Sequence, residues 1–142
     1  MESIGKSIQI DQSVDRVFAY LDDPENAVEW LPGTIEVRDV QGSGLGQQHC
    51  WTYRIVGLPF KGQNVVVEHI PNEKRVVQSI GGIESVWTYA TTPNNAGTQL
   101  RLQVDYTVPI PVLGKLTEKL VVKRSVRELD LALENIKDIC EA

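Results

Sequence analysis

Between Gly114 and Cys140 the chain carries no proline and no second glycine, and Leu, Glu, Lys and Ala dominate it. Pro109 and Pro111 break the extended run before it. Such a stretch predicts one long helix, residues 114–140, of roughly 25 residues and ~38 Å at 1.5 Å rise per residue. Leu129, Leu133, Ile136 and Cys140 fall at i, i+4, i+7 and i+11, and Val122 and Val126 extend the row upstream. This is one apolar face at helical period. Leu113, Leu116 and Leu120 make a second short row on nearly the opposite side. A lone long helix with two apolar stripes needs a surface to lie on, and the rest of the chain has to supply it.

That remainder reads as strands and tight turns. Residues 3–10 alternate, and helix-start chemistry comes next at Asp11 and Ser13. Val14, Val17, Phe18 and Leu21 mark a short amphipathic helix. Asp23-Pro24 opens a second one, 24–31, with Ala27, Val28 and Leu31 expected inside. Six strands are then expected at 34–40, 47–56, 60–70, 75–80, 83–91 and 98–108. Gly- and Asn-rich turns separate them. The last strand alternates most cleanly, with Leu100, Leu102, Val104, Tyr106 and Val108 inward. Consecutive strands with short turns and one wet face predict an antiparallel sheet.

At 142 residues, 42% hydrophobic and 23% charged, the chain is sized for a single domain, 1–142, with a real core. A net charge of −5, from 14 basic and 19 acidic side chains, lacks the basic footprint of a nucleic-acid binder. Residues 1–10 do not read as a secretory signal, and no apolar run reaches the ~18 residues of a membrane span. Cys50 and Cys140 form neither a disulfide framework nor a Cys-x-x-Cys pair. The expectation is a cytoplasmic protein.

The order strand, two short helices, six strands and long C-terminal helix resembles the helix-grip fold of the START/birch-pollen-allergen-like (SRPBCC) superfamily. The likeness extends to its polyketide cyclase/dehydrase and lipid transport branch. The residues that carry it are Val17-Phe18-Ala19-Tyr20-Leu21-Asp22-Asp23-Pro24, Trp30-Leu31-Pro32-Gly33 and Gly57-Leu58-Pro59-Phe60. Ser79-Ile80-Gly81-Gly82-Ile83 with Trp87 after it, and Gly97-Thr98, complete the set. The resemblance implies an α+β domain: a seven-stranded, strongly curved antiparallel sheet wrapped round the long helix, with a cavity for an apolar ligand between them. Members of the superfamily bind or transport lipids, sterols, polyketides or quinones, and a few catalyse cyclisation or dehydration. Fold alone does not choose among these.

The candidate site is aromatic. Trp51, Tyr53, Trp87, Tyr89 and Tyr106 fall on the inferred concave face. Rings with a polar tip are what an apolar pocket uses to orient a ligand. The same rings also make plain core, and the two readings stand side by side. Phe60, Leu116 and Leu120 are placed near the mouth. The two-faced helix start, Leu113, Leu116, Leu120 and Val121, has several uses: burial under neighbouring loops, closure of the cavity, self-association, or contact with a membrane surface. Lys115, Lys119, Lys123, Arg124 and Arg127 precede Glu128, Asp130, Glu134, Asp138 and Glu141 on that helix. The helix dipole prefers the reverse order. A solvated face explains this arrangement, and so does attraction of an anionic headgroup.

Other signals are weaker. Gly42-x-Gly44-x-Gly46 leads into a strand, so it reads as a hairpin turn rather than a phosphate loop. His49 and His69 lack metal-ligand spacing, and Cys50 should face away from Trp51 and Tyr53, so no metal, cofactor or nucleophile is read. Glu68 and Glu84 fall within expected strands, and either would become an acid or base if it faced the cavity. The leading expectation is binding or transport of a small hydrophobic or amphipathic ligand. The alternative is a cyclase or dehydratase using an ionisable group in the same cavity, and a third class is an interaction module.

Overall fold

A computed structural model describes residues 2–55, 57–107 and 118–142. The elements are β1 (Glu2–Ile10), α1 (Val14–Asp22), a 3-10 turn (Pro24–Asn26), α2 (Ala27–Trp30), β2 (Thr34–Gln41), β3 (Gln48–Ile55), β4 (Leu58–Ile70), β5 (Lys74–Ile80), β6 (Ser85–Asn94), β7 (Gly97–Tyr106) and α3 (Glu118–Glu141). The seven strands form one antiparallel sheet in the order β1-β7-β6-β5-β4-β3-β2. It is a meander whose last strand pairs with the first, which leaves β1 and β2 as the two edges. Register shifts between Val66 and Glu68, and twice along β2, mark bulges that bend the strands. The curved sheet holds α3 against its inner face in the helix-grip arrangement expected from the element order.

Local chemistry sets the two short helices. In α1, Val17, Phe18 and Leu21 are buried, as their spacing requires. Asp23 accepts a hydrogen bond from the Glu25 N–H at 3.1 Å, and Pro24 occupies the first position of the turn. The second helix departs from expectation. It begins as a 3-10 turn, which has three residues per turn and so shifts the phase of the α2 residues after it. Trp30 goes to the core, with 2% of its surface exposed, while Val28 stands 45% exposed instead of buried.

The core joins sheet and helix. Ile10, Val66, Val77, Leu100, Leu102, Val104 and Tyr106 from the strands meet Val121, Leu129, Ala132, Leu133 and Ile136 from α3. The alternation read along β7 is therefore correct as far as Tyr106. The C-terminal half of α3 is tied down by polar contacts as well. Asn135 donates to the Trp30 carbonyl at 3.2 Å, Gln12 donates to the Cys140 carbonyl at 3.2 Å, and Glu141 accepts from the Asp11 N–H at 2.7 Å. The expectations for Val108, Leu113, Gly114, Lys115, Leu116 and the Lys119 side chain lie outside the described residues. Leu120 is described and is 56% exposed, so this part of the helix start is not buried on two sides. Among the described residues no helix is long and apolar enough to cross a membrane.

Candidate functional site

A cavity of about 140 Å³ lies between the inner face of the sheet and α3. All seven strands contribute to its walls, together with α2 and the first turns of α3. Trp51, Tyr53, Trp87, Tyr89 and Tyr106 all line it. The rings thus serve as core and as wall: Tyr89 and Tyr106 belong to the buried cluster, and a void remains beside them. Phe60 sits opposite Tyr53 in the strand register and is buried, yet it is not part of the lining. Leu120 points to solvent and does not border the cavity, because it falls on the outer side of α3, next to the inward Val121. Leu116 lies outside the described residues.

The largest wall residue missed by the periodicity is Trp30. Its ring meets Trp87 edge-on at 6.4 Å between centroids and Tyr89 at 6.1 Å with the planes perpendicular. The short 3-10-to-α element that swings it inward carries no clear helical repeat. The glycines of neighbouring strands give further signals. Gly62 pairs with Trp51 across β3 and β4, and a Cβ there would run into the Trp51 indole and come within 2.9 Å of the Ile80 carbonyl. Gly33, at φ +94°, lies against the Tyr53 ring, 2.9 Å from where its Cβ would be. These two absent side chains are what let the two rings lie where they do.

Few polar groups interrupt the apolar wall, and most are fixed. Asn64 accepts from the Trp51 indole N–H at 2.8 Å and from the Ser79 hydroxyl, and its amide nitrogen reaches His49 Nε2 at 3.2 Å. Burial, with the Arg75 charge adding to it, pushes the His49 ring down to about 4. The ring is therefore neutral near pH 7, with Nε2 accepting and the proton on Nδ1. Ser85 accepts from the Trp87 indole N–H at 3.2 Å. Behind Tyr89 the buried Arg75 stacks over that ring at 5.3 Å, faces Asp22 at 3.3 Å and donates to Gln47 at 3.1 Å. Asp22 also holds His69 Nε2 at 3.0 Å. This cluster fixes the back of Tyr89 and does not border the cavity.

One charged side chain lines the cavity among the described residues, Glu128 of α3. It accepts a hydrogen bond from the Tyr53 hydroxyl and another from Arg124 Nε at 3.2 Å. Burial and the adjacent Glu128 charge both raise the Tyr53 phenol far above its ordinary value, so it stays a donor. Tyr106 is raised too, mainly by burial. The Tyr106 hydroxyl and the Trp30 indole N–H have no hydrogen-bond partner among the described residues.

The two acids singled out from the sequence are elsewhere. Glu68 pairs with Lys74 at 2.9 Å on the outer face, beyond the β4 bulge. Glu84 is exposed and precedes β6 rather than lying in it. The sequence marks Glu128 only as one member of the helix's acidic second half. The glycines at 42, 44 and 46 all have positive φ and form the expected β2–β3 turn. Among the described residues no group of three or more His, Cys, Asp or Glu is placed to hold a metal ion.

Comparison with known proteins agrees with this architecture. The protein TTHA0849 of Thermus thermophilus superposes with a TM-score of 0.84 at 20% identity, covering 96% of this chain and 95% of that one. The Zhui aromatase/cyclase of Streptomyces sp. R1128 superposes at 0.79 with 15% identity, over 99% and 93%. The di-domain aromatase/cyclase StfQ of the steffimycin biosynthetic pathway superposes at 0.76 with 18% identity, over 98% of this chain and 50% of that one. At these identities the likeness is one of fold. No curated protein matches the sequence. The family model for polyketide cyclase/dehydrase and lipid transport proteins matches residues 1–141, and the chain belongs to that family.

Proposed function

We propose that this protein binds one small hydrophobic or amphipathic molecule, of the lipid, quinone or polyketide-like kind, in the cavity between sheet and α3. The observation that carries the reading is the void of about 140 Å³ walled by five aromatic side chains from β3, β6 and β7 and by Trp30. A cavity of this size takes a single aromatic ring. The guest is therefore a ring compound, or the ring or chain end of a larger one. Burial supplies affinity at ~25 cal/mol per Å² of apolar surface, and the few fixed hydroxyl and amide groups set orientation. Family membership supports the same class of ligand. The test is a thermal-shift panel of quinones, hydroxylated aromatics and short lipids, with native mass spectrometry of the freshly purified protein. At least one ring compound should raise the melting temperature with a concentration dependence that tracks its Kd. A panel without any shift, with nothing co-purifying, sinks the proposal.

The Tyr53–Glu128 pair favours a second reading, a cyclase or dehydratase. Glu128 would take a proton next to a carbonyl, and a tyrosine hydroxyl would hold the resulting enolate oxygen. Both Glu128 oxygens already accept a hydrogen bond, one from Tyr53 and one from Arg124, and neither is left wholly free for a substrate C–H, which is why binding ranks first. Turnover of a short poly-β-ketone by the wild type, abolished in Glu128→Gln, would reverse that ranking.

A further inference from the structure

Resting on the binding reading above, we propose that Glu128 makes the cavity selective for neutral, hydroxyl-bearing rings and turns carboxylates away. A carboxylate offers about four lone-pair sites. The Tyr53 hydroxyl occupies one on Oε2 and Arg124 one on Oε1. The remaining sites take no other side chain among the described residues, and the group borders the void with only 18% of its side chain exposed. The cavity thus presents an acceptor that a ligand O–H can satisfy. A ring without a donor leaves it unpaired.

An anionic ligand meets a like charge instead. At an effective dielectric near 20, two like charges about 5 Å apart repel strongly enough to cost on the order of a hundredfold in affinity. Arg124, on the outer side of the pair, reduces that penalty without cancelling it. No lysine, arginine or histidine borders the main cavity among the described residues to receive a carboxylate there. A cationic ring meets the same field with the opposite sign, and the hydration it must shed to enter an apolar wall offsets that gain. The neighbouring recess is only about 20 Å³. It shares Tyr53, Ser125 and Glu128 with the cavity and has room for one water rather than for a ligand headgroup.

The experiment is an NMR titration of the protein at pH 7.5, monitored on the three tryptophan indole N–H signals, with benzene, phenol and sodium benzoate as probes. Phenol should bind at least tenfold more tightly than benzoate. In Glu128→Gln that ratio should fall at least threefold from its wild-type value, because the amide keeps an acceptor oxygen and loses the charge, while the cost of desolvating benzoate remains. Tyr53→Phe, which keeps the carboxylate, should retain the tenfold preference. Benzoate within threefold of phenol in the wild type overturns the proposal. So does a ratio that survives Glu128→Gln, or one that collapses in Tyr53→Phe alone. If Glu128→Gln does not fold, the wild-type and Tyr53→Phe ratios decide. Absence of any shift with benzene and phenol alike refutes the binding reading itself. Equal binding of all three rings refutes only the selectivity.

Discussion

Replacing Val104 with phenylalanine separates a real cavity from a core already filled by rings. Val104 stands on β7 with 8% exposure, opposite Ile4 on one side and Trp87 on the other, and it lines the void. The substitution adds four carbons. At ~0.8 kcal/mol per buried CH2 this gives about 3 kcal/mol if they enter empty space, and roughly 2 kcal/mol after loss of rotamer freedom. For a chain of 142 residues that corresponds to a rise in Tm of about 6–8 °C. Forced into a close-packed core, the same atoms would cost about 1–3 kcal/mol, and Tm would fall. The sign of the change is therefore diagnostic. Differential scanning calorimetry gives Tm, and the benzene titration gives binding. We expect Val104→Phe to be more stable than the wild type and to lose benzene binding. A lower Tm, or a higher Tm with benzene binding unchanged, refutes the argument that the void beside Val104 is the binding site.

The same geometry fixes two further outcomes. Gly62→Ala should cost about 1–3 kcal/mol in urea unfolding and shift the tryptophan emission, because the new methyl displaces the Trp51 indole; an unchanged midpoint would mean the ring does not lie over β4. His49 titrates near 4 in the folded protein and near 6.5 when unfolded. The unfolded chain therefore binds more protons between these values, so stability is complete above about pH 6.5 and declines as pH falls toward 4, by up to about 3 kcal/mol. Urea midpoints between pH 7.5 and 4 should show this slope, and His49→Gln should flatten it.

The architecture is readable because each element carries its own periodicity. The alternation 100–106 and the row Leu129, Leu133, Ile136 fix which faces meet, and the turn residues fix the strand count. The aromatic half of the site is readable for the same reason. A period of two puts Trp51 with Tyr53, and Trp87 with Tyr89, on one face wherever the strands pair. Trp30 escapes because a 3-10 turn resets the phase before a four-residue helix, and a pattern needs more than one turn to show. Glu128 escapes for a different reason. On α3 it lies one residue before the buried Leu129, at the edge of the apolar stripe. Sequence alone does not say which edge of a helix looks onto a void and which onto water. The Arg75–Asp22 pair joins β5 to the end of α1, and contacts between distant segments leave no local spacing to read.

A void of this size is itself an argument for use. Apolar side chains that face about 140 Å³ of unfilled space forgo packing that a filled core would have, in a domain of the kind stable by only roughly 5–15 kcal/mol. Collapse would recover it, and the rings that could collapse inward are the ones held back. Trp51 is bonded to Asn64, Trp87 to Ser85 and Tyr53 to Glu128, and Tyr89 lies under Arg75. The three hydrogen bonds pin Trp51, Trp87 and Tyr53 at the wall by their polar edges, and Arg75 holds Tyr89 from over its ring. A chain under pressure for stability alone gains by replacing Ser85 or Asn64 with an apolar residue that lets its ring fall in. The restraints make sense where the empty space is the working part of the molecule.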